Sequence, residues 1–230
     1  RIYPDDLGIL RGYGIFDVVK TCNDKIFLFD EHFRRIEHSA KSYGLKLPIG
    51  KSELGKIIKK LIIKNKIKNA TVRIVLTAGR SADATHFDYN SPTFYILAGE
   101  LKPLPEAYYQ NGIKLKTINY SRSTPDIKSV NYALAIKTIN ELQKRENFYE
   151  VLYIQDGKVY EAATSNFFIF KKDTLITPNE DILKGTIRNL VMDLARNNFK
   201  IEERILRIGE LKMANEAFIT DTNKDIVPVV

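Results

Sequence analysis

The sequence predicts a mixed fold, α/β and α+β, in two parts, and three observations lead there. Val72, Ile74 and Leu76 alternate as strand residues do, whereas Phe33, Ile36, Ala40 and Tyr43 recur at helical spacing. The run Leu101-Lys102-Pro103-Leu104-Pro105 then interrupts the pattern, because two prolines remove backbone donors and hold the chain extended. That connector sets the expected boundary between 102 and 103.

Taken in order, Ile26-Phe27-Leu28-Phe29 reads as a short strand and Glu31 to Tyr43 as a helix capped by Asp30. Ser52 is the expected cap of an amphipathic helix in which Lys56, Lys59, Lys60 and Lys64 lie beside Ile57, Ile58, Leu61 and Ile62. The alternating strand at Val72 stops before Gly79, and Thr93 to Leu97 forms another. Beyond the prolines, Ile113, Leu115 and Thr117 suggest a strand and Val130 to Arg145 a helix. Strands follow at Val151 to Ile154, Phe167 to Phe170 and Leu175 to Thr177. A helix over Ile187 to Asn197, an extended segment over Ile201 to Ile205 and a strand over Glu216 to Thr220 complete the order.

A chain of 230 residues with 44% hydrophobic and 28% charged residues can bury a sizeable core and is neither fibrous nor disordered in composition. The net charge of +8 favours phosphates or acidic substrates as partners but does not specify a fold. Much of it falls on the lysine-rich helix, which reads as a solvated face with a binding patch as the alternative; no nucleic-acid module accompanies it. Cys22 stands alone, so the chain offers no disulfide framework and fits a reducing, cytoplasmic compartment. His32, His38 and His86 lack the spacing of a zinc set, so no metal is expected. There is no signal-like start and no apolar span long enough to cross a bilayer, so no membrane partner is expected either. The sequence opens on Arg1 and stops on Pro228-Val229-Val230 after an apolar run, which leaves room for further residues at either end.

Several residues invite chemistry. Lys128 lies between Ile127 and Val130; an amine among apolar side chains loses hydration chiefly in its charged form and becomes a better nucleophile, which suits bond formation to an aldehyde. The competing local reading is a helix-start lysine that snorkels to water. Glu161 precedes the polar stretch Ala162-Ala163-Thr164-Ser165-Asn166, where a carboxylate can hold a protonated ring nitrogen or simply end a strand. Ser165 and Asn166 read as organisers of that turn. Leu183-Lys184-Gly185-Thr186-Ile187-Arg188 places a glycine and a hydroxyl at a helix start, a place for phosphate or merely a cap. Thr220-Asp221-Thr222-Asn223 is a second polar turn, and Arg35, next to Arg34 in the first helix, has the two-donor geometry that suits phosphate. There is no P-loop and no dinucleotide glycine fingerprint.

Together these pieces resemble the class IV, or fold-type IV, pyridoxal-phosphate enzymes: branched-chain aminotransferases, D-amino-acid aminotransferases and aminodeoxychorismate lyases. The resemblance runs from Leu10-Arg11-Gly12-Tyr13-Gly14-Ile15-Phe16-Asp17 through Glu31-His32-Phe33-Arg34-Arg35-Ile36 with Ser39-Ala40, and on to Lys128-Ser129-Val130-Asn131-Tyr132. It continues through Glu161 with Ser165-Asn166-Phe167 and Gly185-Thr186-Ile187-Arg188, and ends at Thr222 with Ile226-Val227-Pro228-Val229.

The resemblance implies a smaller N-terminal α/β domain over 1–102 and a larger cofactor-binding domain over 103–230, with the active site between them and a homodimer completing it. Family chains continue past the Pro-Val pair into another strand and helix, so the second domain is expected to be incomplete at its end. The resemblance also implies pyridoxal 5'-phosphate as cofactor and an amino acid and a 2-oxo acid as substrates. Lys128 would be the Schiff-base lysine and the acid/base, and Glu161 the partner of the pyridine nitrogen. Arg35, the backbone at Thr186 and Ile187, and Thr222 would hold the phosphate, and Tyr132 would contact the cofactor oxygen. Two departures stand out. Family members often read Gly-Ile-Thr-Arg where this chain has Gly-Thr-Ile-Arg, and Tyr132 follows Lys128 by four positions, as in the D-amino-acid group, where branched-chain enzymes have five. The expected activity is transamination, with branched-chain amino acids as candidate substrates and the lyase, a D-amino-acid enzyme or a non-catalytic cofactor-cleft protein as alternatives.

Overall fold

The computed structural model describes residues 2–23, 25–145 and 148–230. The chain has a mixed α/β two-domain architecture and groups into two compact units, one of Arg1–Lys102 with Ile127–Asn131 and one of Pro103–Asp126 with Tyr132–Val230. The proline-bearing connector thus begins the second unit, and five residues around Lys128 group with the first.

The first unit contains α1 (Leu7–Leu10), β1 (Gly14–Cys22), β2 (Lys25–Ile26), α2 (Phe29–Ser42), α3 (Lys51–Lys64), β3 (Ala70–Thr77) and β4 (Thr93–Glu100). Its strands form one antiparallel sheet in the order β2-β1-β3-β4, with Phe16 opposite Val75 and Ile74 opposite Ile96. Ile15, Val19, Val72, Ile74 and Leu76 pack with Phe33 and Ile36 of α2 and Leu54 and Ile58 of α3. The alternation read at Val72 is therefore the core face of β3.

Local details differ from expectation where tertiary contacts override local signals. The strand expected over Ile26–Phe29 stops at Ile26, and Leu28 takes a left-handed φ of 50° that turns the chain into α2. Asp30 is not the cap; it lies inside the first turn, with its carboxylate on Lys51 at 2.9 Å. Gly50, and not Ser52, sits at the cap of α3.

The second unit runs α4 (Glu106–Asn111), β5 (Leu115–Asn119), α5 (Ala133–Arg145), β6 (Glu150–Gln155), β7 (Lys158–Ala162), β8 (Asn166–Lys171), β9 (Thr174–Thr177), α6 (Thr186–Ala195), β10 (Lys200–Glu203), β11 (Leu206–Arg207), α7 (Ile208–Leu211), β12 (Glu216–Asp221) and β13 (Asp225–Val229). These strands make a five-stranded sheet, β10-β9-β8-β12-β13, and a four-stranded sheet, β11-β7-β6-β5. Ile169, Ile176 and Ile219 of the first and Leu152, Val159 and Ala162 of the second share one core. The helix expected from Val130 begins only at Ala133, because Val130 spends its backbone N–H on Gly14 O of β1 at 3.0 Å. Among the described residues no helix is long and apolar enough to cross a membrane.

Candidate active site

Lys128 owes its position to the backbone. Phe16 N donates to Lys128 O at 2.9 Å, Val130 N donates to Gly14 O at 3.0 Å, and Lys128 N donates to Ser39 Oγ on α2 at 3.2 Å. Three bonds to two elements fix its Cα, so the side chain leaves an extended segment and not a helix start. The residue is only 9% exposed, and its Nζ lies 4.8 Å from the centre of the Phe16 ring. The snorkelling alternative does not describe this lysine.

Arg35 is in the same unit, one turn before Ser39 on α2. Its Nε donates to Asp17 Oδ2 and its Nη2 to Asp17 Oδ1, each at 2.8 Å, while His32 Nδ1 lies 2.8 Å from Oδ1. Val18 N adds a bond to Oδ1 at 2.7 Å. Burial alone would push the Asp17 carboxyl up, but the Arg35 guanidinium and the His32 ring outweigh it and hold the group well below the usual carboxylate range. Bidentate pairing thus fixes the Arg35 guanidinium in orientation.

In the second unit Glu161 is the next-to-last residue of β7, with a side chain 6% exposed. Its Oε1 accepts from Arg122 Nη1 at 3.0 Å; its Oε2 accepts from Leu183 N at 3.0 Å and from Asn166 Nδ2 at 3.3 Å. Burial lowers the proton affinity of the Arg122 guanidinium, yet the adjacent Glu161 carboxylate outweighs this and raises it. Asn166 Nδ2 also donates to Leu183 O at 2.7 Å, which links the end of β7 to the loop before α6.

That loop opens α6 at Gly185, whose backbone is extended and whose helix start carries no side-chain cap. A Cβ at Gly185 would stand 2.0 Å from Asn166 Oδ1, so glycine is required for this approach. Thr186 and Ile187 follow, 4% and 5% exposed, and the buried Ile187 side chain leaves its backbone as its polar contribution. Thr222 lies in the turn between β12 and β13, which Asn223 N closes onto Asp221 Oδ1 at 2.9 Å. Two residues earlier, the Thr220 hydroxyl is buried without a hydrogen-bond partner. Tyr132 precedes α5, half-buried beside Ala135, Val151 and Tyr153.

Lys128 and Arg35 therefore share the β1–α2 neighbourhood, whereas Glu161 is joined through Asn166 and Leu183 to the loop that leads into Gly185, Thr186 and Ile187. Asp17, Ser39 and Arg122 are partners with no role expected from the sequence. Asp17 and Ser39 lie within the quoted motifs; Arg122, an isolated basic residue before the lysine, carries no local signal. Among the described residues no group of three or more His, Cys, Asp or Glu side chains could hold a metal ion.

Comparison with known proteins identifies the family. Residues 14–230 match the model of the amino-transferase class IV family. The chain is 30% identical over 231 residues to a D-alanine aminotransferase of Bacillus licheniformis, covering 98% of this chain and 81% of that one. It is 28% identical to the aminodeoxychorismate lyase of Bacillus subtilis, covering 98% and 79%. Its fold superposes on the branched-chain amino acid aminotransferase of Escherichia coli with a TM-score of 0.91 at 23% identity, covering 100% of this chain and 80% of that one. The chain belongs to the class IV amino-transferase family.

Proposed function

We propose that this protein is a pyridoxal-phosphate-dependent transaminase that moves an amino group between an amino acid and a 2-oxo acid, with branched-chain amino acids as the first candidates. It works as a homodimer in the cytoplasm. The observation that carries the reading is the Lys128 amine, enclosed over Phe16 and fixed through its backbone to β1 and α2. The donors present fit the cofactor. The α6 start is uncapped and held open by Gly185, and the orphaned Thr220 hydroxyl lies beside the Thr222 turn, as an anion site requires.

Bound pyridoxal phosphate supplies an electron sink for the pair released when the substrate Cα–H bond breaks. Lys128 Nζ would hold the cofactor covalently and, once displaced by the incoming substrate amine, would be free to take that α-proton in a buried setting. Glu161, a buried carboxylate steadied by Arg122 and the Leu183 amide, keeps a proton on the ring nitrogen through a charge-assisted bond. Arg35, the Thr186 and Ile187 amides and Thr222 would hold the phosphate, and Tyr132 would contact the ring oxygen.

A D-specific pocket of the family type would pair His86 with a nearby arginine. Here His86 is 89% exposed at its side chain and engages Asp83 at 2.6 Å, and position 84 is alanine. Arg80 is committed to Asp5 through two contacts of 2.9 and 3.0 Å. These commitments support the L-amino-acid reading.

The test is to load the protein with pyridoxal phosphate, reduce with borohydride and map the label. The expected label is on Lys128; its absence from cofactor-treated protein overturns the reading. L-leucine, L-valine, D-alanine, L-glutamate and aminodeoxychorismate are then offered separately. Amination of a 2-oxo acid is expected, and exclusive release of pyruvate and 4-aminobenzoate overturns the transaminase assignment in favour of a lyase.

A further inference from the structure

Lys224 closes the turn that carries Thr222, yet its amine is not presented to solvent. The side chain is 13% exposed, and Nζ donates to Thr164 Oγ1 at 2.8 Å, Ser165 Oγ at 2.9 Å and Glu150 Oε2 at 3.3 Å. An ammonium has three donors, and all three are taken. Glu150, 2% exposed, also accepts from Ser165 Oγ at 3.1 Å and from the backbone N–H of Thr164. The Lys224 carbonyl accepts from Tyr109 Oη at 3.0 Å, which fixes the main chain of the turn as well. An amine so committed does not bind substrate; it joins two turns. One is the Thr222 turn between β12 and β13. The other lies between β7 and β8, directly after Glu161 and before Asn166.

We infer that Lys224 is a positioning residue that ties the Thr222 turn to the β7–β8 turn, holding the proposed phosphate-binding hydroxyl at a fixed place relative to the Glu161 carboxylate. The inference rests on the cofactor reading above. An exposed pair would hold little, whereas a buried pair with all donors matched holds its geometry.

The experiment compares binding of pyridoxal phosphate with that of pyridoxal, which lacks the phosphate, by visible-absorbance titration. K224M alone leaves Glu150 buried without its cation and is prone to misfold. The variants are therefore E150Q/K224M, in which both charges are removed, and K224R, in which the charge remains but its planar fork cannot repeat the three contacts. In whichever variant has the melting temperature of the parent, the preference for pyridoxal phosphate over pyridoxal is expected to fall about 10-fold, or about 1.4 kcal/mol. An unchanged preference, or equal weakening of both ligands, overturns the positioning role while leaving the cofactor reading intact. Failure of the parent protein itself to take up pyridoxal phosphate overturns both.

Discussion

Asp17 in the first unit and Glu161 in the second are both buried carboxylates met by an arginine, but they are held differently. Asp17 takes two donors from Arg35, one from its neighbour's amide and a contact from His32, all at 2.7 to 2.8 Å. Glu161 takes one guanidinium donor and one amide at 3.0 Å and a long side-chain amide at 3.3 Å. Tight bidentate pairing makes Asp17 a scaffold that aims Arg35. Glu161 instead bridges Arg122 to the Leu183 amide and Asn166, so its carboxylate joins β7 and β8 to the loop before α6.

The largest expected effect breaks the scaffold. Asp17→Asn leaves Arg35 and His32 buried without their counter-charge and should destabilise the fold by about 3–5 kcal/mol. Urea unfolding followed by circular dichroism measures this, and a shift under 1 kcal/mol would show that the pairing is dispensable. Glu161→Gln likewise leaves Arg122 largely buried beside a neutral partner, so some loss of stability is expected here too, but kcat should fall further, by about 100-fold, as for loss of one preorganised charge. Equal losses in stability and turnover would erase the distinction drawn between the two carboxylates.

The smallest effect is titration. Asp17 has a folded-state proton affinity well below the unfolded value of about 3.9, so its contribution is complete above that value and drains away as pH falls through the folded one. Glu210 is also lowered, to about 2, chiefly by its bond from Arg204, and adds to the same acid limb. Stability should therefore decline below about pH 4, with a shallower slope in Asp17→Asn than in the parent. Parallel slopes would remove Asp17 from the acid transition.

Much of this layout is legible from local pattern, because β3, β8 and α6 bury faces whose periodicity their own residues announce. Gly185 is legible for a related reason: a glycine before a polar helix start signals close approach, although its partner Asn166 does not follow from spacing. What stays hidden depends on residues far away in sequence. Lys128 resembles a helix start until β1 claims the carbonyl of Lys128 and the amide of Val130. Asp30 resembles a cap until Lys51 draws its carboxylate outward. The role of Arg122 exists only once Glu161 is folded beside it, and no window around residue 122 contains that information.

The return of Ile127–Asn131 to the first unit has a consequence for biosynthesis. A ribosome that has released residues 1–102 has delivered β1 but not the segment that bridges to it at Ser129 opposite Ile15. The loop that must close between Phe16 and Lys128 is long, so this junction forms late in folding. The first unit is therefore complete only once the chain has been made through Asn131, well into the sequence of the second unit.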